Sequence, residues 1–393
     1  MHDVAIVGGG PGGLYAALHL ARRGVDVVVF EEHEIPGRPV HCTGVLADEA
    51  FAEFDLPRSS VLNPLRTVVF TGPSGATIDY TTASAEAVVI DRSAFDQALA
   101  EQAQLAGAQL LVGRRVLDVA PSGSRVTLTL ATGESAHARA AILACGANYA
   151  IQRRLGFGMP ALHLQSAQRE LAADTSGPVE VHFGHDVAPR GFAWAVPVQR
   201  PHGAFVRVGL MCDGNARDRF SRFIAAVGPR WGIAAHEMTT AAPRTKILPL
   251  GPVARTYGPR VLAVGDAAGL VKATTGGGIY YSLLSARMAA DVLTDALRTD
   301  QLDAPTLASY EHSWRQALGD EIDAQMELRR LSHHMSDADI DALFELARTD
   351  GVMPIVRRTA QFNRHRHLIM SLLNHPPARR LLMRHVLGWG RIA

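Results

Sequence analysis

An α/β fold is predicted, with a Rossmann-type nucleotide-binding domain, an inserted antiparallel-sheet domain and a C-terminal helical region, and three features of the chain predict it. Residues 4–31 read as a strand, a glycine-rich turn, a helix and a second strand. Between residues 161 and 250, β-rich alternating runs such as VEVHF, FAWAVPV and AFVRVGL replace that pattern. From about residue 298 onward, amphipathic helical spacing takes over. At 393 residues, 47% of them hydrophobic, the chain has material for about two or three domains.

The opening strand over residues 4–7 runs into GGGPGG at 8–13, and the helix after it turns Leu14, Ala17, Leu18 and Ala21 inward before Gly24 stops it. Gly8, Gly10 and Gly13 have the spacing of a dinucleotide fingerprint. The first glycine permits the tight turn, the second admits a pyrophosphate, and the third lets helix and strand pack closely. Glu31, at the end of the second strand (25–30), stands where a carboxylate accepts hydrogen bonds from ribose hydroxyls. A hairpin around GPSG follows within 66–80, then a strand at 88–90 and a helix whose first residue, Arg92, can reach a pyrophosphate. Strands at 125–130 and 141–145 return the chain to the first domain, and a helix near 216–227 interrupts the later sheet. The expected partition assigns 1–60, 85–160 and 251–297 to the nucleotide-binding domain, 61–84 and 161–250 to a substrate-binding sheet, and 298–393 to the helical region.

The stretch GDAAGLVKATTGGGIYY at 265–281 follows an apolar run at 261–264 that delivers Asp266 to the carboxyl end of a strand. In a chain that opens with a dinucleotide fingerprint, such an aspartate holds the ribityl chain of FAD. A nicotinamide dinucleotide has no ribityl chain, so Asp266 selects FAD over NAD. Gly276, Gly277 and Gly278 let backbone approach a flat ring closely, and the helix they begin aims free N–H groups at it. A flavin site assembled from both ends of the chain is therefore expected. Cys42 lies in a Gly/Pro-rich loop after the second strand, at the ligand edge of such a sheet. Phe192 and Trp194 share one strand face by period-two alternation and are suited to wall an apolar cavity.

The net charge of +1 conceals an uneven distribution. Residues 351–393 hold eight arginines, from Arg357 to Arg391, and no acid, leaving a balance of −7 over the first 350 residues. Apolar residues including Leu368, Met370, Leu373 and Trp389 interleave with these arginines. This surface suits anionic lipid headgroups or a diphosphate, or else a helical pair docked on an acidic body. Lysine occurs only at Lys246 and Lys272. No apolar run approaches the roughly 20 residues of a membrane span, and Met1 leads almost directly into a strand, so a cytoplasmic protein is expected, with membrane association as one alternative that the basic C-terminal surface leaves open. Cys42, Cys145 and Cys212 lack metal-ligand spacing, and neither a metal nor nucleic acid is expected.

Three segments carry a specific likeness: GDAAGLVKATTGGGIYY, GRPVHCTGV at 37–45 and FAWAVP at 192–197. Through them the chain resembles the geranylgeranyl reductase family, within the FAD enzymes of the p-hydroxybenzoate hydroxylase fold. The resemblance implies FAD contacts from Gly12, Glu31, Cys42, Thr43, Arg92, the backbone at Val116, Asp266, Gly278 and Ile279, and substrate contacts from Phe192 and Trp194; Arg38 and Gly277 are further cofactor-binding candidates. Ala273 stands where the family commonly has proline, and Val196 where it commonly has an aromatic residue. The implied reaction is reduction of isolated carbon–carbon double bonds in a geranylgeranyl or polyprenyl group, with hydride from the N5 of reduced FAD. Cys42 and Tyr280 are the catalytic candidates, with Tyr281, His41 and water as further proton sources. The substrate would be a prenyl lipid or prenyl diphosphate, and the electron donor transiently bound NAD(P)H or a protein such as ferredoxin. The alternatives are a flavin monooxygenase of the same fold, disfavoured by ACGAN at 144–148 in place of an Asp-Gly signature, and a flavin halogenase, disfavoured because no lysine precedes Lys246. A flavin- or lipid-binding protein that docks on a membrane without turnover is the non-enzymatic alternative.

Overall fold

In the computed structural model, which describes residues 1–349 and 351–387, the valine-rich N-terminal runs form the centre of an eight-stranded sheet. Strand His2–Val7 lies parallel to both Val27–Phe30 and Ser135–Leu143. Gln109–Leu111 and Val261–Ala263 extend the parallel row on either side. These strands are covered on both faces, which explains their continuous apolar sequence. Helices Pro11–Ala21, Arg92–Leu105 and Ile279–Thr299 supply part of that cover. Asp91 caps the second of them, accepting from the N–H groups of Ser93 (2.9 Å) and Ala94 (3.1 Å), a contact of the kind that contributes about 1 kcal/mol. The carboxyl ends of the parallel strands bring Gly8, Glu31, Ala144 and the segment from Val264 to one edge, where such sheets bind ligands.

A second sheet of seven strands runs in the order Arg244–Leu250, Leu162–Ala172, Gly203–Cys212, Phe192–Arg200, Val179–His182, Thr67–Thr71, Thr77–Thr81. All its pairings are antiparallel except Val179–His182 with Thr67–Thr71. Strand Val61–Leu65 does not join this sheet. It pairs with Ala87–Ile90, which also pairs with Val45–Ala47, in a small three-stranded sheet. Helix Ala216–Val227 packs Phe220, Phe223 and Ile224 against the outer face of the seven-stranded sheet. The opposite face turns Trp194, Val196 and Leu248 toward the nucleotide-binding domain.

Arg207 ties the two bodies together. It is almost fully buried, its Nε donates to Glu170 Oε2 at 2.7 Å, and its Nη1 donates to the carbonyls of Thr43 and Ile90. Arg200 completes the network by bridging Glu170 and Asp91. The loop that carries Cys42 is thereby fixed to the neighbouring sheet.

Among the described residues, five helices, Ala304–Ser332, Asp337–Thr349, Val352–Thr359, Arg366–Asn374 and Pro376–Leu387, form the C-terminal region. Arg357, Arg358, Arg364, Arg366, Arg379, Arg380 and Arg384 are exposed on it, Arg366 pairing with Asp320 and Arg384 with Asp339. Trp389 and Arg391, part of the expected basic surface, lie outside the described residues. Among the described residues, no helix is long and apolar enough to cross a membrane.

Candidate active site

One cavity of about 1050 Å³ runs from the glycine-rich turn of the first domain to the inner face of the seven-stranded sheet. It is at the upper end of the size range of ordinary small-molecule sites, about 300–1,000 Å³. Gly8, Gly10, Gly12, Glu31, Arg38, Cys42, Thr43, Arg92, Val116, Asp266, Gly277, Gly278, Ile279, Phe192 and Trp194 all line it. Residues at both ends of the sequence therefore share one space.

The glycine turn fits a dinucleotide for reasons visible at each position. Gly8 has φ +108°, and a Cβ there would lie 2.4 Å from the Ala144 carbonyl oxygen. A Cβ on Gly13 would sit 2.0 Å from the Gly8 carbonyl oxygen, so this glycine serves helix–strand packing and does not line the cavity. Gly10 is different: nothing lies within 4 Å of its Cβ position, which leaves open space beside the N-terminus of helix Pro11–Ala21. An anion there would meet unsatisfied N–H groups and the positive end of the helix dipole. Glu31 is held at the strand end, accepting from the Gly9 N–H at 2.7 Å and the His33 N–H at 2.9 Å.

Asp266 sits in a short turn, Gly265–Ala268, directly after strand Val261–Ala263. A Cβ on Gly278 would come within 2.6 Å of Asp266 Oδ1, so the glycine loop and the aspartate are in direct contact. Ser282 Oγ, one turn into the following helix, lies 2.4 Å from a Cβ position on Gly12 and 2.2 Å from one on Gly265. The two ends of the chain interlock there with no room for larger residues.

The loop after the second strand is equally constrained. Cys42 Sγ accepts from the Gly44 N–H at 3.3 Å and lies beside the Arg92 guanidinium, which also pairs with Asp96 at 2.8 Å. Thr43 Oγ1 donates to Gln168 Oε1 at 2.9 Å. His41 is held below its ordinary range, first by burial and then by Lys246, Arg244, His33 and Arg92, all positive or able to become so.

The apolar half of the cavity follows from strand alternation. Phe192, Trp194 and Val196 face inward from one strand. The Trp194 ring lies across Gly209, its partner on the adjacent strand, where a Cβ would come within 2.6 Å of the ring. Phe70, Leu248 and Leu368 are further apolar parts of the wall.

Tyr280 requires a correction. It does not line the cavity: it is turned into the core against Phe54, and its hydroxyl donates to Glu53 Oε2 at 2.7 Å. Burial, then Glu53, raises its pKa, so it is neither positioned nor disposed to give up a proton in the cavity. Tyr281 is fully buried in the same core, where Gln325 donates to its hydroxyl at 3.0 Å. On this helix it is Ile279 and Ser282 that face the cavity.

Both lysines of the chain line the cavity, a convergence absent from the sequence-based list of site residues. Lys246 Nζ lies 3.3 Å from Asp266 Oδ2. Lys272 is 4% exposed; its Nζ donates to the Phe362 carbonyl at 2.9 Å and to Asn363 Oδ1 at 3.3 Å, above the Phe362 ring. Burial pulls its pKa down to about 7, against the opposing pull of Glu321 and Glu49. The sequence clue was rarity: two lysines among 39 basic residues.

Fold and cradle together define a flavoprotein that binds FAD. The chain belongs to the family described as lycopene cyclase protein, which matches residues 3–349. Digeranylgeranylglycerophospholipid reductase 2 of Methanothermobacter thermautotrophicus is 28% identical over 362 residues, covering 87% of this chain and 90% of that one. The digeranylgeranylglycerophospholipid reductase of Methanocaldococcus jannaschii is also 28% identical over 362 residues, covering 88% and 90%. Among solved structures, a geranylgeranyl bacteriochlorophyll reductase-like protein from Thermoplasma acidophilum superposes with a TM-score of 0.81 at 21% identity, covering 98% of both chains. A point mutant of the halogenase PltM in complex with FAD gives 0.68 at 15% identity, covering 98% of this chain and 85% of that one, and shows the shared fold.

Proposed function

We propose that this protein uses FAD to reduce isolated carbon–carbon double bonds of a geranylgeranyl or other polyprenyl group. The observation that carries the reading is the continuity of one cavity, in which the dinucleotide cradle opens onto an apolar wall bearing Phe192 and Trp194. When bound and reduced, FAD supplies the hydride at its N5. The residues of the chain supply position. Gly10 and Arg92 would hold the pyrophosphate, Glu31 the ribose and Asp266 the ribityl chain, while Gly277, Gly278 and Ile279 border the ring.

An isolated alkene is not polarised by a neighbouring carbonyl, so alignment and exclusion of water are the main contributions the protein makes. Phe192, Trp194 and Leu248 form the surface that aligns a prenyl chain. With Tyr280 turned away, Cys42 is the remaining catalytic candidate, its Sγ fixed between the Gly44 N–H and Arg92. The seven-stranded sheet is the substrate-binding unit in this reading. The exposed arginines of the C-terminal helices are the contact surface for a membrane that presents a prenyl lipid, and a diphosphate would be recognised by the same charge. Reducing equivalents come from NAD(P)H or ferredoxin.

The family's description favours one second reading, ring closure of an isoprenoid alkene with no net transfer of electrons. Rapid anaerobic mixing of the photoreduced enzyme with a geranylgeranyl lipid separates the two. Reduction reoxidises the flavin, restoring its absorbance near-stoichiometrically; a flavin that stays reduced while the lipid is consumed would contradict reduction.

A further inference from the structure

A second, smaller cavity of about 460 Å³ lies against the outside of the loop that carries Cys42. His33, Arg38, Pro39 and Val40 line both cavities, so this short stretch is the wall between them. Arg244, the first residue of strand Arg244–Leu250, lines only the smaller one. It is exposed, and its guanidinium has no hydrogen-bonding or ion-pair partner among the described residues. Arg38 is also exposed and uses only Nε, which donates to Ser93 Oγ at 2.9 Å. The one acid in the lining, Glu34, carries its carboxylate toward Gly113, where a Cβ would meet it at 2.7 Å. Arg38 and Arg244 are thus the two guanidinium groups with unused N–H donors that line this concavity among the described residues.

We propose that this cavity is the docking site for the phosphates of a nicotinamide dinucleotide, with Arg244 as the principal contact, anchoring the reductant beside the loop past which its nicotinamide reaches into the main cavity to meet the flavin at reacting distance. The inference rests on the flavin-reductase reading. A reductase consumes two electrons per double bond and must be recharged, and the first two glycines of the chain's single GxGxxG fingerprint, Gly8 and Gly10, already line the main cavity. The donor therefore needs cations of its own. Guanidinium groups with free N–H donors match phosphate oxygens bidentately, and a concave slot suits a small anionic molecule better than the broad face of an acidic carrier protein. The C4–H bond of the dihydronicotinamide breaks with its electron pair, that hydride passes to the oxidised flavin, a solvent proton is taken up, and the oxidised dinucleotide leaves.

The test uses the flavin-loaded enzyme and its Arg244→Glu and Arg244→Lys variants, with flavin absorbance reporting that each is folded and loaded. Calorimetric titration with NADP+ and NAD+ is expected to show Kd raised about ten-fold or more by Arg244→Glu, less by Arg244→Lys, and a wild-type Kd that weakens with added salt. Unchanged Kd in Arg244→Glu would overturn the proposal. So would a wild-type flavin that neither NADPH nor NADH reduces but reduced ferredoxin does, which would assign the cations to an acidic protein. Colourless protein that refuses FAD would overturn the underlying reading, and this one with it.

Discussion

Lys246 Nζ lies 3.3 Å from Asp266 Oδ2, and this pair joins the edge strand of the seven-stranded sheet to the turn that follows the last parallel strand. The ammonium offsets the carboxylate at the place where the flavin would sit. Both side chains are partly exposed, 38% for Lys246 and 23% for Asp266, so their attraction is screened and adds little to stability. Its consequence lies in the cofactor. Lys246→Met leaves an uncompensated negative charge beside a group that must accept electrons, and the midpoint potential of bound FAD is expected to fall by about 30 mV, equivalent to about 1.4 kcal/mol for a two-electron couple. Spectroelectrochemical titration checks it; an unchanged potential would remove Lys246 from the flavin environment.

Gly10 offers a separation of fold from binding. Its backbone is at φ −81°, ψ −179°, which any residue adopts, and a Cβ there meets nothing within 4 Å. Gly10→Ala is expected to leave apoprotein stability within about 0.5 kcal/mol of wild type while weakening FAD binding about ten-fold. Gly8→Ala, with φ +108° and a Cβ 2.4 Å from a carbonyl oxygen, is expected to lose both. Chemical denaturation and flavin titration read the two effects independently.

Trp194 should govern chain length. Trp194→Phe keeps an aromatic ring over Gly209 but shortens the wall, so kcat/KM for a C20 prenyl chain is expected to fall about ten-fold, more than for a C5 or C10 chain, with FAD affinity unchanged. Parallel loss of FAD would show that the ring is structural.

Buried Lys272 gives stability a pH dependence of known sign. Its folded pKa of about 7 lies below the ordinary lysine value of 10.5, so between those limits the unfolded chain binds more protons than the folded one. The cost of charging the site is fully present below about pH 7 and fades as pH rises toward 10.5. Wild-type stability is therefore expected to rise with pH above 7, relative to Lys272→Met, by up to about 1.4 kcal/mol per pH unit. Denaturant melts of both proteins from pH 6 to 9 test this, and parallel curves would place the charge elsewhere.

The flavin cradle was legible because its requirements are local. A strand, a glycine turn and Glu31 fall within one βαβ unit, and Asp266 with its glycine loop lies within another short run. Period-two alternation likewise placed Phe192 and Trp194 on one face. Tyr280 was misjudged because a helix turns about 100° per residue: knowing that Gly278 borders the cavity does not say whether Ile279 or Tyr280 faces it. Lys246 and Lys272 were missed because their partners, Asp266 and the carbonyl of Phe362, lie 20 and 90 residues away in sequence. Residues 61–65 were expected with the substrate-binding sheet, but Val61–Leu65 pairs with Ala87–Ile90, a partner that local sequence does not specify.

Reduction, ring closure and oxygenation of a prenyl alkene differ in product mass, and that measurement tests the central claim most directly. Photoreduced enzyme is mixed with a geranylgeranyl lipid in the absence of oxygen, and the product is weighed by mass spectrometry. A gain of two hydrogens for each double bond lost, with one flavin reoxidised per bond, is the expected result. A product isomeric with the substrate, or one that has gained oxygen only when air is admitted, would contradict the assignment.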